Sequence, residues 1–285
     1  MKFIKAIFLA IAVTGVAMMY SCSDDDNGTN DPTPDDKVYY FSFEEDNWWI
    51  YEGYDLDMNN DRVDDGIGPD SAYYLQKDNL GGKEVETIMV VSSEGGSGVK
   101  YFYEVDDTRL NALSAYITPN LPGEIYDILP SFEYPTDLWV KILDPNATSE
   151  WVVIPEQTYN EKVSLDFIDP LLGDGDFVGT FNVTAENGPL STMVIDGKTI
   201  EVAETKLNYV LSGQLKFTFI TEQTINIDIP LTASLYFGKD KGLVRMIFNS
   251  KKVSIPVPVV GDQEFDVEGY EQICTKIFHT AGTSG

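Results

Sequence analysis

From Thr224 to Leu231 the chain alternates strictly, Thr-Ile-Asn-Ile-Asp-Ile-Pro-Leu, and puts Ile225, Ile227, Ile229 and Leu231 on one face. Side chains of an extended backbone point to opposite faces in turn, so a period of two makes a strand with one buried and one wet side. The pattern recurs. Leu215, Phe217 and Phe219 share a second apolar face, with Lys216 and Thr218 opposite. Met193 to Ile195 and Lys198 to Val202 flank Asp196-Gly197, a pair suited to the two positive φ angles of a type I′ hairpin turn. Val253, Ile255, Val257 and Val259 alternate with Pro256 and Pro258, whose missing N–H donors predict an edge strand. Only Thr108 to Ile117 reads as a helix: Leu110, Leu113, Ser114 and Ile117 share a face, Asp106 or Asp107 caps it, and Pro119 closes it. The predicted fold is mainly β, about a dozen antiparallel strands in a sandwich or a strongly curved, half-barrel sheet with one short helix.

The chain has 285 residues, 43% of them hydrophobic and 12% aromatic, which is ample for a core. Its 19 basic and 47 acidic residues give a net charge of −28. That charge argues against nucleic acid as a partner, because phosphate binding draws its affinity from Lys and Arg. The single histidine, His279, leaves His-based triads and His-rich zinc sites without raw material. Residues 22–170 hold 33 acids and 8 bases, whereas residues 171–285 hold 14 and 9. The composition changes at a loop-like stretch, Asp169 to Asp176, which suggests an acidic N-terminal β region, 37–170, and a C-terminal β region, 171–285. The two can equally form one domain.

Ahead of both lies a different kind of sequence. In residues 1–21, Lys2 and Lys5 precede an apolar run from Ala6 to Met18, the composition of a secretion leader. The run is too short to span a bilayer, which takes about 20 apolar residues. Met19-Tyr20-Ser21-Cys22 then resembles the lipobox of bacterial lipoproteins of the Bacteroidota type, although Met19 replaces the usual Leu and Tyr20 is bulky. The resemblance implies diacylglycerol on the Cys22 sulfur, cleavage before Cys22 and acylation of the new amino terminus. Several acyl chains on one residue make a lasting membrane anchor, where one chain binds only marginally. Ser23, Asp24, Asp25 and Asp26 look like the acidic export signal by which such lipoproteins reach the outer face of the outer membrane; a plain acidic linker is the alternative. Residues 22–36 contain nothing able to join a core and read as a disordered tether with a reach of about 20 Å. No specific functional family is recognised.

The mature region holds few constellations with chemistry. Asp55, Asp57, Asn59, Asp61, Asp64 and Asp65 place oxygen ligands at near-alternate positions, as loops that wrap Ca²⁺ do. The stretch resembles Asp/Asn-rich calcium loops but departs from the EF-hand, since Arg62 stands where Gly makes the turn and no Glu closes the loop. An acidic hairpin loop without metal is the alternative, and no other cofactor is expected. Between Tyr39 and Tyr54 eight aromatics crowd sixteen positions, and Trp48, Trp49, Tyr51 and Tyr54 form a candidate surface for a glycan or protein ligand. Neighbouring Trp48 and Trp49 must face opposite ways in a strand, so both can be buried only if a second layer covers the sheet. Asp70-Ser71-Ala72 is similar to a Bacteroidota O-glycosylation sequon on Ser71. Cys274 lies in an alternating stretch and reads as a buried thiol. If Cys22 is acylated, Cys274 has no partner for an intramolecular disulfide. No phosphate loop, Gly-x-Ser-x-Gly elbow or paired Cys-x-x-Cys occurs. These features predict a lipid-anchored outer-membrane protein, exposed at the cell surface and non-enzymatic, that binds a glycan, protein or matrix component. Two alternatives stay open: a periplasm-facing carrier or envelope-assembly lipoprotein around an apolar ligand, and a surface glycosidase with two carboxylates.

Overall fold

A computed structural model describes residues 43–278, except 64–65, 107, 120, 122–125, 127–130, 167–168, 170 and 259. Fifteen strands follow in order: β1 (Trp48–Leu56), β2 (Ile67–Leu80), β3 (Lys83–Val91), β4 (Ser97–Glu104), β5 (Leu110–Leu113), β6 (Trp139–Leu143), β7 (Trp151–Ser164) and β8 (Asp174–Asn187) form the first half. The rest are β9 (Ser191–Ile195), β10 (Lys198–Thr218), β11 (Glu222–Gly238), β12 (Gly242–Phe248), β13 (Lys251–Val257), β14 (Gly261–Val267) and β15 (Gly269–Phe278). Thirteen belong to one antiparallel sheet of order β6-β5-β4-β3-β2-β1-β15-β12-β11-β10-β8-β7, with β9 added beside β10. The chain runs from the middle of this sheet out to β6, crosses to the opposite edge at β7, and returns to the middle, where β15 pairs with β1. The stretch from Asp169 to Asp176 falls at the connection between β7 and β8, so strands from both sides of the composition change share one sheet.

That path forces curvature. Laid flat, twelve strands would span about 53 Å at the usual inter-strand spacing, whereas the link from Leu143 to Trp151 can reach no more than about 28 Å. The sheet therefore curls until its edges meet, nearly closing into a barrel. At the seam the Trp151 indole N–H donates to the Lys141 carbonyl at 3.1 Å, and the Asn187 amide donates to the carbonyls of Asp144 and Ala147, both at 2.9 Å. Side chains and turn carbonyls hold the two edges, β6 and β7, together.

Alternation fills the inside. Along β11, Ile225, Ile227, Ile229, Leu231, Ala233, Leu235 and Phe237 are buried in register, and Phe177, Phe181 and Val183 on β8 and Leu207, Tyr209 and Leu211 on β10 share the same core. Gly179 and Gly213 stand directly opposite each other on β8 and β10. A Cβ on either would collide with the Phe177 ring, so the pair opens the slot that ring occupies. The segment following β5 enters the core as well. Phe132 packs edge-on to Phe181 with ring centroids 5.1 Å apart, Tyr134 meets the same ring at 6.0 Å, and the buried Tyr209 hydroxyl donates to the Ile117 carbonyl at 2.6 Å. The ribbon β13–β14 lies off the main sheet and buries Val253, Ile255 and Val257.

The mainly β reading holds, as do the type I′ hairpin, with Asp196 and Gly197 at φ 50° and 72°, and the two-stranded placement of the proline-bearing β13. The helix expected over Thr108 to Ile117 is corrected to strand β5 plus a single 3-10 turn, Ser114–Ile117. Pairing decides the outcome. Leu110 and Ala112 are fully buried between β4 and β6, and the Asp106 carboxylate binds the Thr108 and Arg109 N–H groups and the Arg109 guanidinium in a tight turn instead of capping a helix.

Candidate functional site

Residues 1–42, which include the leader, Cys22, Ser23, Asp24, Asp25, Asp26 and the tether, lie outside the described residues, as do Asp64, Asp65 and His279. Among the described residues no helix is long and apolar enough to cross a membrane. The remaining candidates cluster around β1.

The Asp/Asn-rich stretch connects β1 to β2. Its turn is organised by one carboxylate: Asp57 Oδ1 accepts the N–H groups of Asn59 at 2.8 Å and Asp61 at 2.9 Å, and the Asp57 N–H donates to the Asp61 carbonyl at 2.8 Å. The N–H groups of Asp61 and Asn59 hold the exposed Asp57 carboxyl below its ordinary value. Asn60, at φ 64°, accepts the Ser250 N–H at 2.7 Å and ties the loop to the start of β13. Arg62 turns back over the Tyr54 ring, 3.9 Å from its centre, and its Nε donates to Glu271 at 2.6 Å. Among the described residues no group of three or more His, Cys, Asp or Glu is placed to hold a metal ion. Asp55 and Asp61 flank the turn, and Asp64 and Asp65, which would complete the sequence-predicted donor set, are outside the description.

Strand β1 divides its aromatics by face, as alternation requires. Trp49 is fully buried, with its indole N–H on the Lys241 carbonyl at 3.0 Å, and Tyr51 is buried with its hydroxyl on the Leu243 carbonyl at 2.7 Å. These two are core residues with their donors used, which corrects their assignment to a ligand surface. Trp48 is 41% exposed and Tyr54 half-buried beneath Arg62. The sequence reading missed what stands beside Trp48. Its cross-strand partners are Phe278 on β15 and Tyr73 on β2, and the Trp48 and Phe278 rings stack with centroids 5.0 Å apart. Neither partner is near Trp48 in sequence, and only the register reveals the row.

Other groups have structural partners. Ser71 is half-buried within β2, between Ile50 and Val91, and the buried Asp70 accepts the Ser93 N–H at 2.9 Å. Cys274 is buried on β15, and burial pushes its thiol up to about 12. The buried acids are bonded: Glu86 to the Tyr74 hydroxyl at 2.8 Å and Lys77 at 3.2 Å, Glu204 to Ser234 and Tyr236, and Glu271 to Arg62 and Arg245. Lys100 points inward from β4 with its Nζ 4.8 Å from the centre of the Tyr116 ring, and burial pulls its ammonium down to about 7. A second aromatic group lies on the outer side of β4 to β6, where Tyr103 and Trp139 meet edge-on at 6.2 Å and Lys83 stands 4.7 Å over Tyr103.

The arrangement defines a large, curled antiparallel sheet with a filled interior and aromatic groups on its outer face. No protein-family model matches the chain, and no curated protein does either. A crystal structure of a chain described as a lipoprotein from Parabacteroides distasonis is 13% identical, covers 85% of this chain and 100% of its own, and superposes with a TM-score of 0.41. At that level it says nothing about what this chain does.

Proposed function

We propose that the protein is a lipid-anchored outer-membrane lipoprotein, displayed at the cell surface, that works by binding a glycan, protein or matrix component and not by catalysis. The observation that carries this reading is Cys22 in its setting: a leader before it, three aspartates after it, and a β domain whose described part begins at Phe43. A tether of that length lets a rigid domain stand clear of its anchor. The outer side of β4 to β6 suits a ligand, because Tyr103 and Trp139 present ring surface that stacks on sugars or on partner side chains. The curvature of the sheet favours one other reading, an envelope carrier around an apolar ligand. Against it, Ile117, Phe132 and Tyr134 already occupy the inner face.

Proteinase K treatment of intact cells, with a periplasmic protein as control and intact-mass measurement of the amino terminus, tests the proposal. The expected result is a triacylated Cys22 and digestion of the domain while the control survives. An acylated but protected domain would remove surface display and bring the carrier forward; lipid co-purifying in native mass spectrometry would then support that reading. An unacylated amino terminus would remove the anchor itself.

A further inference from the structure

Phe278, Trp48 and Tyr73 are direct cross-strand partners on three neighbouring strands, so their side chains leave the same face of the sheet. They are 45%, 41% and 37% exposed. Met89 on β3 and Val99 on β4 continue the row across two more strands. Trp49, Ala72 and Ile88, one position along β1, β2 and β3, point inward and are fully buried. The core is therefore supplied by the other face, and the row adds nothing to it. A contiguous apolar patch left on the outside of a folded chain marks a surface with a partner.

The row's place in the fold says which partner. It starts where β1 begins and β15 ends, while β2 and β3 run on past it to their hairpin at Leu80 and Lys83. Phe43 packs at that same end, with its ring 6.1 Å from that of Tyr74, whose N–H donates to the Asn47 carbonyl at 3.1 Å. The tether expected from the sequence over residues 22–36, with a reach of about 20 Å, joins Cys22 to the chain that leads to Phe43. Resting on the lipid-anchored reading above, we propose that the Phe278–Trp48–Tyr73 row docks on the phospholipid interface to which Cys22 is tied and sets the orientation of the barrel on the membrane. Trp and Tyr rings favour that depth because each joins an apolar body to a polar tip. Lys276 is exposed one step along β15 on the same face, paired with Ile50, and its stem lets the ammonium reach lipid phosphates. Glu45 and Asp46 are exposed just before Trp48 in the chain, and their carboxylates favour contact with zwitterionic over anionic headgroups. The tether makes docking intramolecular, so a weak surface preference is enough.

The test uses Cys22 as an attachment point, since the buried Cys274 thiol does not compete for reagent. The chain from Cys22 onward is coupled through that thiol to maleimide-bearing vesicles of phosphatidylcholine, with and without bromine on the acyl chains. Quenching of tryptophan fluorescence by the brominated lipid is expected, and Trp48→Phe should remove most of it, because Trp49 is buried. A second variant, Trp48→Ser with Phe278→Ser, should lose docking, read as recovered rotational freedom of the coupled domain, while its circular dichroism stays unchanged. Adding phosphatidylglycerol should weaken the quenching. Equal quenching in wild type and Trp48→Phe, no quenching at all, or a row occupied by a second copy or a sugar in preference to lipid would overturn the proposal. Because attachment is chemical, these outcomes are independent of whether cells acylate Cys22, which the intact mass decides separately.

Discussion

Arg62 Nε and Glu271 Oε2 lie 2.6 Å apart although 209 positions separate them in sequence. Arg245 Nε approaches the other carboxylate oxygen at 2.6 Å, so one buried acid is shared by two guanidinium groups and joins the β1–β2 loop to β12 and β15. Glu271→Gln should cost about 3–5 kcal/mol, because it leaves guanidinium charge facing a partly buried neutral amide. Arg62→Ala should cost nearer 1 kcal/mol, since Arg62 is itself 41% exposed and Arg245 remains. Burial raises the Glu271 carboxyl, but the two arginines outweigh it and hold the net value below the ordinary one. A depressed folded value means that this stabilisation is complete above the ordinary carboxyl range and is lost as the pH falls through the folded value. Thermal melts from neutral to acid pH should show that loss in wild type, and a correspondingly smaller one in Glu271→Gln.

Tyr209→Phe isolates the attachment of the inner segment. The hydroxyl donates to the Ile117 carbonyl inside the core, and its removal leaves that carbonyl with only the longer bond from the Tyr134 hydroxyl at 3.3 Å. The expected cost is about 0.5–1.5 kcal/mol by urea unfolding. Hydrogen exchange should rise first around Ser114 to Leu138 while β10 and β11 stay protected. A uniform rise would mean that the segment and sheet open as one unit.

These two contacts show where sequence reading stops. Alternation along β8, β10 and β11 is local, so Ile225 to Leu231 could be placed on one face without knowing its neighbours, and Asp196-Gly197 carried its own turn chemistry. The apolar spacing of Leu110, Leu113 and Ile117 also fitted a helix, and only pairing with β4 and β6 makes it a strand. Alternation required Trp48 and Trp49 to part but not which one turns inward. The Phe278–Trp48–Tyr73 row and the Arg62–Glu271–Arg245 contact depend on β1 lying between β2 and β15, a register that joins the two ends of the chain. Long-range pairing of this kind leaves no periodic trace in either segment.

Gly213→Ala should destabilise although Ala is ordinarily the better strand residue. A Cβ there would stand 2.6 Å from the Val178 carbonyl oxygen, 2.7 Å from Gly179 Cα and 2.7 Å from the Phe177 ring. Two of those neighbours are backbone and cannot rotate away. The expected cost is about 1–3 kcal/mol, and shrinking the ring with Phe177→Leu should restore only part of it, because the backbone contacts persist. Full rescue in the double variant, measured by chemical denaturation, would show that the ring alone is responsible.

Cys274 should be silent toward thiol reagents. Burial raises its thiol to about 12, and its Sγ lies 3.2 Å from the Lys276 carbonyl, so almost no thiolate forms at neutral pH and no path leads to it. In a Cys22→Ser chain, iodoacetamide should give no adduct by mass spectrometry under native conditions and one adduct after unfolding in guanidinium. Native labelling at a rate independent of denaturant would mean that β15 frays past Cys274.

Asp57 separates a turn from a metal site. Its Oδ1 holds two backbone N–H groups, a task that an asparagine oxygen can also perform, whereas a cation needs the charge. Asp57→Asn should therefore melt close to wild type and Asp57→Ala lower, both in the presence of a chelator. Adding Ca²⁺ then reads the second role. A rise in wild-type Tm that Asp57→Asn abolishes would assign the carboxylate to calcium together with its loop neighbours, and superimposable melts with calcium and with chelator would confine it to organising the turn.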